Sequence, residues 1–178
     1  MINYFWDRLN TAQAFALLAL GCAGLLGFGM YLQHVVGLEP CPMCIVQRYA
    51  LTLIALTALL GVVWRSLLGH RLLAVLGMLW AVGGAFVAAR QSWLQWYPPE
   101  VASCGRDFYG MIESFPLQRA IPLIFRGSGD CSKVDWTFLG GSIANWSFVA
   151  FVAMVLWLGV MLFTKLRSTS AQDEAVQA

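Results

Sequence analysis

Four apolar stretches, at residues 11–31, 45–64, 72–89 and 143–164, decide what this chain can fold into. Each has roughly the 17–25 residues that an α-helix needs to cross about 30 Å of hydrocarbon. Arg48 is the one charge inside any of them. No run of alternating polar and apolar residues replaces this pattern, which argues against a membrane β-barrel. Only 11% of the residues are charged and the mean hydropathy is +0.70, whereas a soluble domain carries about 25% charged residues. So few charges cannot cover a water-exposed surface, and the bilayer must be part of the solvent. The predicted fold is an all-α integral membrane protein, one membrane domain over residues 1–178. Its four-transmembrane-helix bundle carries outer loops at 32–44 and 90–142 and a polar tail at 165–178.

Basic residues near the helix ends set the orientation. Arg8, the Arg65 and Arg71 of the second connection, and Lys165 and Arg167 fall on one side if four helices cross. The long segment 90–142 has Arg106, Arg119, Arg126 and Lys133, but offsets them with Glu100, Asp107, Glu113, Asp130 and Asp135. Both termini are therefore expected in the cytoplasm and both loops outside. A formal net charge of +2 is too small to imply a nucleic-acid partner. The apolar run around Cys22 continues to Tyr31, which favours an uncleaved helix over a lipoprotein signal. The tail after Arg167 is small and polar, and is expected to be disordered. The second outer loop is rich in apolar residues and broken by Pro98, Pro99, Pro116 and Pro122, so part of it is expected to lie on the membrane surface. In the third helix Gly77, Ala81, Ala85 and Ala89 recur every four residues, a small face against which another helix can pack closely.

The chemistry sits in cysteines. Cys41, Cys44, Cys104 and Cys131 are predicted outside, and Cys22 lies mid-helix, where a small buried apolar residue is the plain reading. An even number facing an oxidising compartment suggests two disulfides. Cys41-Pro42-Met43-Cys44 spans so short a loop that a disulfide there would stabilise little, which argues against a mere staple. Cys44 opens a helix, whose dipole and free N–H groups favour a thiolate. Arg48 follows one turn deeper on the same face, where its charge supports the thiolate or attracts an electron-rich ligand. A guanidinium at the membrane edge is costly and so a functional candidate, although it could also snorkel to lipid headgroups. Cys104 and Cys131 sit among polar turn residues; a structural tie and an exchangeable disulfide both suit that spacing. A zinc site is disfavoured, because there is one C-x-x-C, no second, and no nearby histidine.

Gln33-His34-Val35, Pro40-Cys41-Pro42-Met43-Cys44-Ile45, Gln47-Arg48-Tyr49-Ala50-Leu51, Leu94-Gln95-Trp96-Tyr97-Pro98, Ser128-Gly129-Asp130-Cys131 and Trp136-Thr137-Phe138-Leu139-Gly140 together resemble the DsbB family. These are disulfide bond formation proteins of the Gram-negative inner membrane. The resemblance covers nearly the whole chain and implies a protein-dithiol:quinone oxidoreductase. It implies that Cys104 is attacked by a reduced DsbA-type thiol oxidase, with Cys131 as its mate and Cys41 next in the relay. Cys44 would then pass electrons to ubiquinone, or menaquinone without oxygen, and Arg48 would hold the quinone. No metal is expected, on the cysteine spacing above. Two positions depart from it: Gln91 stands where some relatives have His, and Gln47 where they have Glu. Gln91 could donate a hydrogen bond to a quinone but could not act as a general acid. One catalytic unit per chain is expected, hence a monomer, in contact with membrane lipid and the quinone pool. The competing reading is a scaffold or transporter accessory with two inert disulfides.

Overall fold

The computed structural model describes residues 11–64, 66–98, 132, 134 and 136–177, with side chains described only up to residue 163. Its helices are α1 (Thr11–His34), α2 (Pro42–Val63), α3 (Leu67–Trp96) and α4 (Ile143–Gln177), with a two-stranded hairpin of β1 (Thr137–Phe138) and β2 (Gly141–Ser142) just before α4. All four helices are long and apolar enough to span a membrane, Ile143–Phe163 being the spanning part of α4. The protein is thus a multi-pass, all-α membrane protein, and much of its Leu, Val and Phe surface is exposed because lipid is its solvent.

The helices are longer than their apolar runs. α1 continues to His34 and ends where Gly37 takes a φ of +78°, with the Leu38 N–H returning to the Leu32 carbonyl. α3 starts at an N-cap, Ser66, whose hydroxyl accepts from Gly69 N–H, and it runs on to Trp96. The tail expected to be disordered instead continues α4 as helix to Gln177. Its Lys, Leu, Arg, Ala, Gln and Glu are good helix formers, and a helix already nucleated in the membrane extends through them without a new nucleus. Cys104, Cys131 and the part of the second loop expected to lie on the membrane surface fall outside the described residues.

Neighbouring helices pack in sequence order, α1 on α2, α2 on α3, α3 on α4, whereas α1 meets α4 at few places. Small residues allow the close approaches. A Cβ on Gly61 would come within 2.6 Å of the Phe15 ring, one on Gly77 within 3.3 Å of Leu158, and one on Gly84 would overlap Phe151. The small face of α3 is Ala74, Gly77, Ala81, Gly84 and Ala88, all buried. The strict four-residue stripe is thereby corrected: Ala85 is half-buried and Ala89 exposed. With about 3.6 residues per turn, steps of four drift around the helix, and alternating steps of three and four stay on one face. α1 and α4 touch toward the N-terminal end of α1, through Trp157 Nε1–H donating to the Ala14 carbonyl and Cys22 against Met154. Toward the other end they separate.

Adjacent glycines make the packing testable. Gly84→Ala should destabilise the protein by about 1–3 kcal/mol, because Phe151 must move. Gly83→Ala, with open space around it, should be neutral or stabilise by up to about 1 kcal/mol through helix propensity. Thermal midpoints of the two variants in one detergent check this; equal midpoints would contradict the close approach.

Candidate functional site

The C-x-x-C is built by the start of α2. Pro42 fills the first helical turn, where its missing N–H is not needed, and Cys41 is the N-cap. The Cys41 sulfur accepts from the Cys44 N–H at 3.4 Å, and the Cys41 carbonyl takes the first helical hydrogen bond from Ile45 at 3.2 Å. Met43, fully buried, anchors this turn against Val87 and Leu94 of α3. Both residues between the cysteines therefore serve the fold, since proline starts the helix and methionine seats it. The two sulfurs end 3.0 Å apart, so a small shift brings them to bonding distance. Cys41 is buried and Cys44 half-buried.

Between Val87 and Leu94 on the same face of α3 lies Gln91, 3% exposed. The sequence places it at the start of the outer loop, but α3 runs past it. Its Nε2 donates to Cys44 Sγ at 3.2 Å and Cys41 Sγ at 3.3 Å, and its Oε1 accepts from Gln47 Nε2 at 2.7 Å. Arg48 turns toward α1. Its guanidinium donates to the Gly29 carbonyl at 2.9 Å and to the Gln33 amide oxygen, and lies 3.9 Å from the Met30 sulfur. None of these partners is charged, so they leave the positive charge of Arg48 in place while tying α2 to α1.

The separation of α1 from α4 leaves a cavity of about 560 Å³ on this side of the bundle, and both Cys41 and Cys44 open onto it. Its walls are mainly apolar, with Leu25, Phe28 and Leu51 from α1 and α2 facing Trp146 and Phe151 of α4. Gln33, Gln47, Arg48, Gln91 and Glu39 supply the polar edges. The β1–β2 hairpin closes one side. Its two turn residues, Leu139 and Gly140, both have positive φ, +50° and +80°, as a tight two-residue hairpin needs. Trp146 Nε1–H donates to the Phe138 carbonyl at 2.9 Å, holding the hairpin on α4, and Trp136 brings its ring to 6.0 Å from Phe28 of α1. A cavity of this size and apolar character, with few polar groups, suits one flat organic head group.

Of the six site residues expected from sequence, Cys41, Cys44, Arg48 and Gln91 come together at this cavity; Cys104 and Cys131 lie outside the described residues. His34 is exposed at the end of α1. Sequence reasoning on residue chemistry passed over the partners that hold the site, Gln33, Gln47 and the Gly29 carbonyl. The available signal was Gln47 inside an apolar stretch, since an amide in hydrocarbon needs a partner.

A transmembrane four-helix bundle with a C-x-x-C capping one helix at an apolar cavity defines a membrane thiol–disulfide protein. A family model described as Disulfide bond formation protein DsbB matches residues 11–161, and the chain belongs to the DsbB family. Among similar proteins, each named Disulfide bond formation protein B, that of Polaromonas naphthalenivorans is 72% identical over 79% of this chain and 84% of its own length. That of Paracidovorax citrulli is 67% identical over 88% of this chain and 90% of its own. That of Verminephrobacter eiseniae is 59% identical over 98% and 99%.

If the Arg48 clamp orders the C-terminal end of α1, Arg48→Met should speed amide hydrogen exchange at residues 29–34 by about tenfold or more, given about 1.5–3 kcal/mol for hydrogen bonds to a charged group. Exchange there equal to that of the parent protein would show that the clamp carries no load.

Proposed function

We propose that the protein is a protein-dithiol:quinone oxidoreductase of the bacterial inner membrane, which reoxidises a periplasmic DsbA-type dithiol oxidase. The observation that carries this reading is the contact of the Cys41 and Cys44 sulfurs with a 560 Å³ apolar cavity edged by Arg48. An inert disulfide has no need of a ligand-sized cavity against its sulfurs.

The cysteines work as a relay of exchanges. The reduced partner's thiolate attacks Cys104 of a Cys104–Cys131 disulfide; a mixed disulfide forms and Cys131 leaves as the thiolate. Cys131 then attacks Cys41 of the Cys41–Cys44 disulfide, and Cys44 leaves as the thiolate. The partner's second thiol attacks the mixed disulfide and the partner departs oxidised, with Cys104 leaving as the thiol. Cys104 then attacks Cys131 of the Cys41–Cys131 disulfide, which restores Cys104–Cys131 and releases Cys41. The electron pair thus arrives on the Cys41–Cys44 dithiol, with Cys44 at the cavity. The free N–H groups at the start of α2 and the charge of Arg48 favour negative charge there. A quinone bound in the cavity supplies the acceptor, taking two electrons and two protons. Leu25, Phe28, Trp146 and Phe151 would hold its ring, and Arg48 with the nearby glutamines its polar edge. Ubiquinone suits this role, with menaquinone its anaerobic substitute.

An acceptor of high potential is required on energetic grounds. A DsbA-type oxidant has a potential near about −120 mV, and each 30 mV of mismatch costs about 1.4 kcal/mol in a two-electron transfer. An ordinary structural disulfide, below about −300 mV, could not draw electrons from it. The distribution of basic residues supports cytoplasmic termini and periplasmic cysteines. One chain holds all four cysteines, which supports a monomeric catalytic unit.

Purified protein, a reduced DsbA-type partner and a short-chain ubiquinone should show catalytic loss of quinone absorbance, abolished in Cys44→Ser. Turnover retained in that variant would remove Cys44 as the electron exit. A reduced partner whose second cysteine is replaced by serine should accumulate a mixed disulfide with Cys104 of the parent protein, Cys131 leaving as the thiol; absence of that complex, with no quinone loss in the parent, would favour inert disulfides.

A further inference from the structure

Gln91 and Gln47 are linked in a way that the exchange relay does not use. An amide side chain has a donating end and an accepting end, and its partners decide which way it faces. Gln91 presents Nε2 to both sulfurs, at 3.2 and 3.3 Å, while its Oε1 is held by the Gln47 amide at 2.7 Å. A sulfur that gains negative charge needs a donor, and this arrangement supplies one while leaving the oxygen end paired. Gln47 and Gln91 are 4% and 3% exposed, so water competes weakly for either. Cys44 also lies 3.7 Å from Gln91 Oε1, within reach of its thiol hydrogen before ionisation. Around them, the charged side chains lining the cavity are Arg48 of α2 and Glu39 of the α1–α2 link; among the described residues α1, α3 and α4 line it with none. Arg48 itself makes its hydrogen bonds to α1.

We propose that Gln91 is a catalytic residue of the Cys41–Cys44 centre, donating to the sulfur that carries charge in the reduced state, and that Gln47 is a positioning residue that acts through it by keeping the nitrogen end of Gln91 on the sulfurs. The inference rests on the redox reading above for its purpose. Hydrogen bonds to a charged acceptor are stronger than those to a neutral one, so the pair stabilises the dithiol state more than the disulfide. A centre whose reduced state is stabilised is a stronger oxidant, as one drawing electrons from another strong oxidant must be. Because both side chains are uncharged amides, this bias does not depend on the protonation of a neighbouring acid or imidazole.

The test isolates the centre in the full-length chain carrying Cys104→Ser and Cys131→Ser. Equilibration with glutathione follows one balanced reaction: the Cys41–Cys44 disulfide plus two reduced glutathiones gives two thiols and one oxidised glutathione. The reduced fraction is read by mass after alkylation at fixed pH. Gln91→Leu should shift this equilibrium at least tenfold toward the disulfide, about 30 mV. Gln47→Leu should shift it severalfold in the same direction, and the double variant should match Gln91→Leu alone. A merely structural role would lower the thermal midpoint and leave the equilibrium where it was. An equilibrium within twofold of the parent in Gln91→Leu would overturn the proposal. Effects that multiply in the double variant would overturn the action of Gln47 through Gln91. Gln91→Met, which keeps the length and drops the donor, takes the place of the leucine variant if that one does not fold. No quinone and no DsbA-type protein enter this measurement, so absence of quinone reduction would count against the proposed function and not against the amide pair.

Discussion

Phe151 seated on Gly84 is the contact on which the cavity end of this bundle depends. The absence of a side chain at position 84 lets α4 come close to α3, and Phe151, fully buried, fills the space. The same ring is part of the cavity wall. In lipid there is little hydrophobic drive for one apolar helix to leave the hydrocarbon for another, so fit of this kind holds the helices together. Gly77 against Leu158 and Gly61 against Phe15 repeat it at other levels. The packing runs from each helix to its successor, and α1 closes onto α4 only near the Trp157 to Ala14 hydrogen bond. A bundle held in this way gaps at its other end, and the gap is the cavity.

Polar groups then complete what packing leaves open. A guanidinium in a membrane helix must find partners within the protein, and Arg48 finds them on α1 in the Gly29 carbonyl and Gln33. That clamp limits how far α1 can swing from α2, and so bounds the cavity on one side. Met43 on α3 bounds it on another, because it fixes where the first turn of α2 lands. Stability and chemistry thus share residues here: the methionine inside the C-x-x-C is a core residue, and the arginine beneath it is both a tie and a charge. An arrangement in which each group serves two ends constrains substitution more tightly than packing alone would.

Much of this was legible in the chain. Four apolar runs and one embedded arginine sufficed for a four-helix membrane bundle, because a bilayer admits few alternatives to spanning helices. The spacing of Cys41, Cys44 and Arg48 placed all three at one helix start, since the helical repeat is local. The helix ends were less legible. α3 continues through Gln91 to Trp96, and α4 through its polar tail, because hydropathy marks where lipid ends and not where helical hydrogen bonding ends. The small face of α3 was seen, but its register was misjudged, as a four-residue spacing does not follow the helical turn.

The sequence by itself determined the class of structure, a membrane bundle of four spanning helices, and the place of the C-x-x-C at a helix start with Arg48 one turn on, all of which follow from composition and from residues near one another in the chain. Only the tertiary structure decided that Gln91, 47 residues beyond Cys44, donates to both sulfurs and is held by Gln47. It also decided that α1 and α4 part to make a ligand-sized cavity, and that Arg48 binds across to Gly29 and Gln33. The physical reason is the same in each case: these are contacts between helices, and their geometry depends on how closely side chains far apart in sequence allow the helices to approach.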